Sequence, residues 1–176
     1  MTNTKEKLLE AKYFLKCMIE NRAERDAFKF NLSAFLSTFR SVTWIMQKEF
    51  HDCPGFPNWY KTQQEKMRAD HRMKFLHTKR NVTIKEQTIE PRGHVEVNLT
   101  LQMLSPSVSL TVTAPDGTVV ERYDQTPSEP AKTETTVQWH WYFKEFPDID
   151  VVAVCQECLD KLKAIVSDCE QRFEAL

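Results

Sequence analysis

The stretch VEVNLTLQM, residues 95–103, divides the chain into two kinds of pattern. Apolar Val95, Val97, Leu99, Leu101 and Met103 alternate with polar Glu96, Asn98, Thr100 and Gln102. Side chains on a strand point to opposite faces in turn, so this alternation predicts a strand with one buried face. Before it, apolar residues recur every three or four positions, the helical period. After it, the period of two returns several times and then gives way to one more helix. The chain is therefore expected to be α+β: an N-terminal antiparallel helical bundle of about four helices, then a small antiparallel sheet of three to four strands and a long C-terminal helix.

Working back from residue 95, residues 4–20 read as an amphipathic helix carrying Leu8, Ala11, Leu15, Met18 and Ile19, with Thr2, Asn3 and Thr4 as cap candidates. A second helix of about 28 residues runs from Arg22 to Phe50, with a break or bend expected around Asn31-Leu32-Ser33. Cys53-Pro54-Gly55-Phe56-Pro57 ends it, a third helix starts near Asn58, and Asp70 caps a fourth that holds Met73, Phe75 and Leu76. Working forward, Val108, Leu110 and Val112 form a second strand, Pro115-Asp116-Gly117 a turn, and Thr118–Tyr123 a third strand. Val137, Trp139, Trp141 and Phe143 alternate again. The sheet's apolar face needs a cover, and the last helix, started by Pro147-Asp148-Ile149-Asp150, offers one along Val151, Val154, Cys155, Cys158 and Leu162. Two parts are expected: residues 1–90, the bundle, and residues 91–176, the sheet with its helix, packed on the bundle.

At 176 residues, 41% of them hydrophobic and with eleven Phe, the chain has the material for a sizeable core. Only three glycines are present, and no Gly-rich phosphate loop. No apolar run reaches the roughly 18 residues of a membrane span, and MTNTKEKLLEAK lacks the apolar core of a signal peptide. A cytoplasmic protein, with no membrane association, is expected. Five cysteines at irregular spacing make a poor disulfide framework and read as free thiols. The net charge of −1 hides an imbalance: Lys61–Arg92 holds nine Lys/Arg against four Asp/Glu, whereas Asp116 to the end holds six against thirteen. Either the basic stretch meets a nucleic acid, or the acidic part packs near it, in the same chain or in a second copy.

Chemistry concentrates in DHRMKFLHTKRNVTIKE, residues 70–86. Asn81 beside Arg80 is an odd choice for a helix interior, and Lys85-Glu86 follows four residues later. With its helix pattern and this Arg-Asn pair, the segment of residues 4–90 resembles a HEPN domain. In catalytic members of that family the last bundle helix carries Arg, a polar residue, a few variable positions and then His. Two copies meet so that the paired residues cleave RNA. The resemblance implies a homodimer through the bundle and a composite site of Arg80, Asn81 and Lys85, with Lys85 standing where the family has His. A neutral imidazole accepts a proton near pH 7, whereas a Lys ammonium with a pKa of about 10.4 does not; Lys85 instead suits phosphate binding as a point charge. A second register, Arg72 with His77, keeps both residue types but lacks the Asn. Lys74, Lys79, Arg80 and Lys85 are the candidates for nucleic-acid contact.

Other constellations read more simply. Cys155 and Cys158 spell C-x-x-C but lie on an apolar stripe, and His51 with Cys53 would complete a metal site only by coincidence of folding. No metal site and no cofactor is expected. Trp139, Trp141 and Phe143 share a face with Val137 and read as core rather than as a base-stacking platform. Three functions follow: a HEPN-like homodimeric interaction module of bacterial or phage-defence type without robust catalysis, a metal-independent endoribonuclease working through Arg80 with Lys85 or Arg72 with His77, and a purely structural protein. Its partner is a second copy, an RNA or another protein.

Overall fold

The computed structural model describes residues 1–85, 91–101, 108–125 and 133–173. The chain is α+β. Its elements are α1 (Asn3–Glu20), α2 (Arg25–Glu49), α3 (Phe56–Ala69), α4 (His71–Lys85), β1 (Arg92–Leu101), β2 (Val108–Thr113), β3 (Val119–Gln125), β4 (Thr133–Phe143), β5 (Phe146–Asp150) and α5 (Val151–Arg172). Strands β1, β4 and β5 form one sheet in the order β1-β4-β5, and β2 and β3 form a second, antiparallel pair. The chain divides into two compact units, one of residues 1–94 with 139–176 and the other of residues 95–138. Helix α5 therefore belongs with the four N-terminal helices.

The helices begin where side chains satisfy the free amides of a first turn. Thr2 Oγ1 accepts from Lys5 N at 3.1 Å, Asp70 Oδ1 from Arg72 N and Met73 N at 3.0 Å, and Asp150 Oδ1 from Val152 N at 2.9 Å. Gly55, at φ 85, turns the chain into α3 in a left-handed conformation that favours glycine. Helix α2 runs unbroken through Asn31: its Nδ2 donates to Ala27 O at 2.8 Å, within the helix, and Leu32 is buried. The break expected there does not form, because the amide bonds back along its own helix rather than ending it.

Helices α1 and α2 form an antiparallel hairpin locked at its open end. Glu49, at the end of α2, accepts from Asn3 N and Thr4 N at 2.8 Å and from Thr4 Oγ1 at 2.6 Å. Burial alone would raise the Glu49 pKa, but these bonds from Thr4 and Asn3 outweigh it and hold the pKa low.

The core of this unit gathers Leu15 and Met18 of α1, Phe28 and Phe35 of α2, and Val154 and Leu162 of α5. Trp141 of β4 is its wedge. Its ring stacks on Phe28 at 4.8 Å between centroids and 13° between planes, and its Nε1 donates to Arg22 O at 2.8 Å. A Cβ on Gly93 of β1 would lie 2.9 Å from the Trp141 ring, so only glycine fits there. Phe143 is buried with Trp141 and Trp139 is partly buried, as their alternation predicts; Val137, beyond them on β4, is exposed.

In the second unit, β2 and β3 pair with Leu110 opposite Tyr123 and Val112 opposite Glu121. The turn is the Pro115-Asp116-Gly117 signal: Gly117 takes φ 85, Ala114 N donates to Thr118 O at 2.8 Å, and Asp116 Oδ1 accepts from Thr118 N at 3.1 Å.

Phe28→Ala removes one face of the Trp141 stack and leaves a cavity. It is expected to lower unfolding stability by about 3–5 kcal/mol. Gly93→Ala crowds the Trp141 ring and should cost about 1–3 kcal/mol. Urea titration followed by tryptophan fluorescence measures both, and an unchanged midpoint in Gly93→Ala would show the ring free to move.

Candidate functional site

Helix α4 carries most of the residues singled out in the sequence, and its two sides face different surroundings. On one side, Arg72 pairs with Glu157 of α5, and Lys161 of α5 reaches back to Asp70 at 2.5 Å. Burial alone would raise the Asp70 pKa, but Lys161 and the amides of Met73 and Arg72 outweigh it and hold the pKa low. Lys79 pairs with Glu145 at 2.7 Å and lies 5.3 Å above the Phe75 ring. These contacts join the basic stretch to the acidic C-terminal part within one chain.

The other side of α4 opens on a cavity of about 190 Å³ between α2, α3 and α4. Leu36, Phe39, Tyr60, Met67, Met73 and Leu76 make its apolar floor, and Arg40, Arg68, Lys74 and His77 stand around it. Arg40 is held in place: its Nη1 donates to Thr43 Oγ1 at 2.6 Å, while Tyr60 Oη fixes Thr43 O at 3.0 Å. His77 is exposed at the mouth. Partial desolvation, then the charges of Arg40, Arg80 and Arg68, push its pKa below the ordinary histidine value. Among the described residues no carboxylate lines the cavity, and none pairs with Arg40, Arg68 or Lys74.

The sequence candidates thus separate. Arg72 faces α5, whereas His77 and Lys74 face the cavity, with Arg80 close enough to act on His77. Asn81 and Lys85 lie on the last turns of α4, but their side chains fall outside the described residues, as does Glu86 altogether. Arg40 and Arg68 were not singled out from the sequence. Each sits on a different helix from His77, and no local spacing joins them. The available signal was Arg40 flanking the apolar stripe of α2, one residue after Phe39.

Cys155 and Cys158 are buried. Desolvation pushes the Cys155 thiol well above its ordinary pKa and those of Cys158 and Cys169 up to about 12. His51 pairs with Asp52 at 2.9 Å in solvent. Among the described residues no three His, Cys, Asp or Glu side chains gather as a metal site, and no helix is long and apolar enough to cross a membrane.

Fold and site together define an α+β protein whose helical unit carries a cationic, apolar-floored cavity. The chain belongs to the family described as bacteriophage lambda protein ea47, whose model matches residues 3–174. It is similar to Protein ea47 of Escherichia phage lambda, with 34% identity over 92 residues, 52% of this chain and 21% of that protein. The chain thus spans about a fifth of the length of the curated relative it matches. No solved structure matches it. The family match overturns the HEPN resemblance, because it takes in helices, strands and α5 as one family unit. Helical period and an Arg-Asn pair recur by chance in unrelated bundles, and Lys85 in place of His removed the specific part of that motif.

Two outcomes test the electrostatics. His77 resists protonation in the folded state, so stability falls as pH drops below about 6.5, where the unfolded imidazole takes up its proton. His77→Gln should flatten that part of the stability–pH curve and leave the fall through the carboxylate range, where Asp70 and Glu49 are protonated. Urea midpoints from pH 8 to 4 measure both. With Ellman's reagent on the native protein, Cys17 and Cys53 should react well before Cys155, Cys158 and Cys169; equal rates would contradict the burial of the latter three.

Proposed function

We propose that the chain is an interaction module that works by binding rather than catalysis, as a homodimer in the cytoplasm. The observation that carries this is the face of the β2–β3 hairpin: Leu110, Val112 and Tyr123 share one side and are 59%, 46% and 68% exposed. A two-stranded ribbon is marginal by itself, and exposed apolar side chains gathered on one side of it, beside Glu121, mark an association surface. A second copy supplies the cover. The separation of Arg72 from His77 supports the non-catalytic part, since the register's Arg is engaged by Glu157 while its His faces another side of the helix. The match to a phage lambda protein supports a setting inside a phage-infected bacterium.

A ribonucleolytic reading draws on one observation, the lowered pKa of His77 beside arginines, since a neutral imidazole next to guanidinium groups suits proton transfer at a phosphodiester.

Sedimentation equilibrium on the full chain should give twice the 20.7 kDa chain mass, and Tyr123→Asp should return it to monomer with an unchanged circular dichroism spectrum. A wild-type monomer at all concentrations would overturn the proposal. Total RNA incubated in EDTA should stay intact; cleavage that vanishes in His77→Ala and Arg80→Ala would establish the enzyme instead.

A further inference from the structure

We infer that the cavity between α2, α3 and α4 is a binding site for a compact anion bearing one ring-sized or branched apolar group, a carboxylate or phosphate monoester of that shape. This inference is independent of self-association, which concerns the other unit.

Size comes first. About 190 Å³ is below the roughly 300 Å³ at which pockets for drug-sized ligands begin. It admits one ring or one branched alkyl group. The floor then sets polarity. Phe39, Leu36, Met73 and Leu76 are buried and offer no hydrogen bonds from their side chains, so the group that enters is apolar. Two methionines, Met67 and Met73, give that floor adaptable, polarizable walls.

Charge settles the other end of the ligand. Arg40 comes from α2, Arg68 from α3, and Lys74 and His77 from α4, so three elements each bring a cation or a titratable base to one mouth. Four other cations of this unit are matched: Arg72 to Glu157, Lys79 to Glu145, Lys161 to Asp70 and Arg22 to Asp150. At the mouth of the cavity the cations stand together, with no carboxylate partner among the described residues. Like charges brought together repel, and an anion in their midst relieves that repulsion. Arg40 is oriented by Thr43 before anything binds, so little side-chain freedom is lost on binding. The groups facing His77 are Arg40, Arg68, Arg80 and Lys74, with uncharged Tyr60 and Gln64. An anion seated there offsets those charges, so binding draws a proton onto His77 and tightens as the pH falls toward 6.

The test is imidazole NMR of the full chain, with the His77 signal assigned from His77→Gln. The probes are phenyl phosphate and 3-phenylpropionate, against inorganic phosphate and benzyl alcohol, which carry only the anion or only the ring. N-acetylphenylalanine, as a polypeptide C-terminus in miniature, is compared with 3-phenylpropionate to separate a chain end from a free acid as the source. Phenyl phosphate or one of the two phenyl acids should shift the His77 signal saturably and raise its titration midpoint. Inorganic phosphate and benzyl alcohol should bind at least about tenfold more weakly. Arg68→Ala, at an exposed position that leaves the fold alone, should weaken the binding of that probe about tenfold or more. Equal binding of inorganic and phenyl phosphate, no saturable shift with any ring-bearing anion, or full binding in an Arg40→Ala, Arg68→Ala double variant would overturn the inference. A monomeric protein with these shifts intact would remove the homodimer reading and leave this one standing.

Discussion

One side chain, Trp141, fixes the arrangement of the helical unit. Its ring stacks on Phe28 of α2 and lies close against Gly93 of β1, its indole nitrogen holds the carbonyl of Arg22, and its backbone amide reaches Asp150 at 3.3 Å. Asp150 in turn caps α5 and pairs with the Arg22 side chain. Residues far apart in sequence thus meet at one ring: the connection after α1, the start of β1, the end of β4 and the start of α5. Large aromatic surfaces contribute most to such cores, and an indole needs its polar handle satisfied when buried. Both conditions are met here by backbone or capping groups that other elements already require, so the wedge brings no unpaired polar group inside.

Charge does different work on the two sides of α4. Arg72 pairs with Glu157 of α5 and Lys79 with Glu145 in the turn between β4 and β5, so a net basic segment becomes a seam with its neighbours. Each pair is partly exposed and is worth at most about 1 kcal/mol, so the seam steers packing more than it stabilises it. Toward α2 and α3, similar cations stand around a hole with no carboxylate among the described residues that line it. Arg72 and Lys79 tie the basic middle of the chain to its acidic end.

Much of this fold could be read from periodicity, and the reasons are particular. The stripe of α5 from Val151 to Leu162 and the alternation of Trp139, Trp141 and Phe143 each bury the predicted face, because a core is present to receive them. Asp70 and Asp150 announced their helices, since a carboxylate before a helical period has one common use. The faces of β1, at Val95 and Val97, and of β2–β3 were read as buried by the same logic, yet they are exposed, because alternation reports an apolar side and not what covers it. The cavity was not legible at all. Its rim comes from positions 40, 68, 74 and 77 on three helices, and sequence spacing describes neighbours on a single element. The family could not be read either: an Arg-Asn pair in a helix is short, and a likeness built on it fell to a match extending over residues 3–174.

The helical unit is discontinuous in sequence, left after His94 and rejoined at Trp139. That ordering bears on how the protein forms and varies. The hairpin of α1 and α2 needs only local contacts and is available early, whereas the site for Trp141 stays vacant until the chain has completed residues 95–138. Closing such an excursion carries an entropy that grows with the logarithm of its length, and doubling it costs only about 0.6 kcal/mol. Residues 95–138 are therefore the portion where chain can be gained or lost at least expense to the rest, and Gly93 and Trp141 mark the two ends at which that freedom stops.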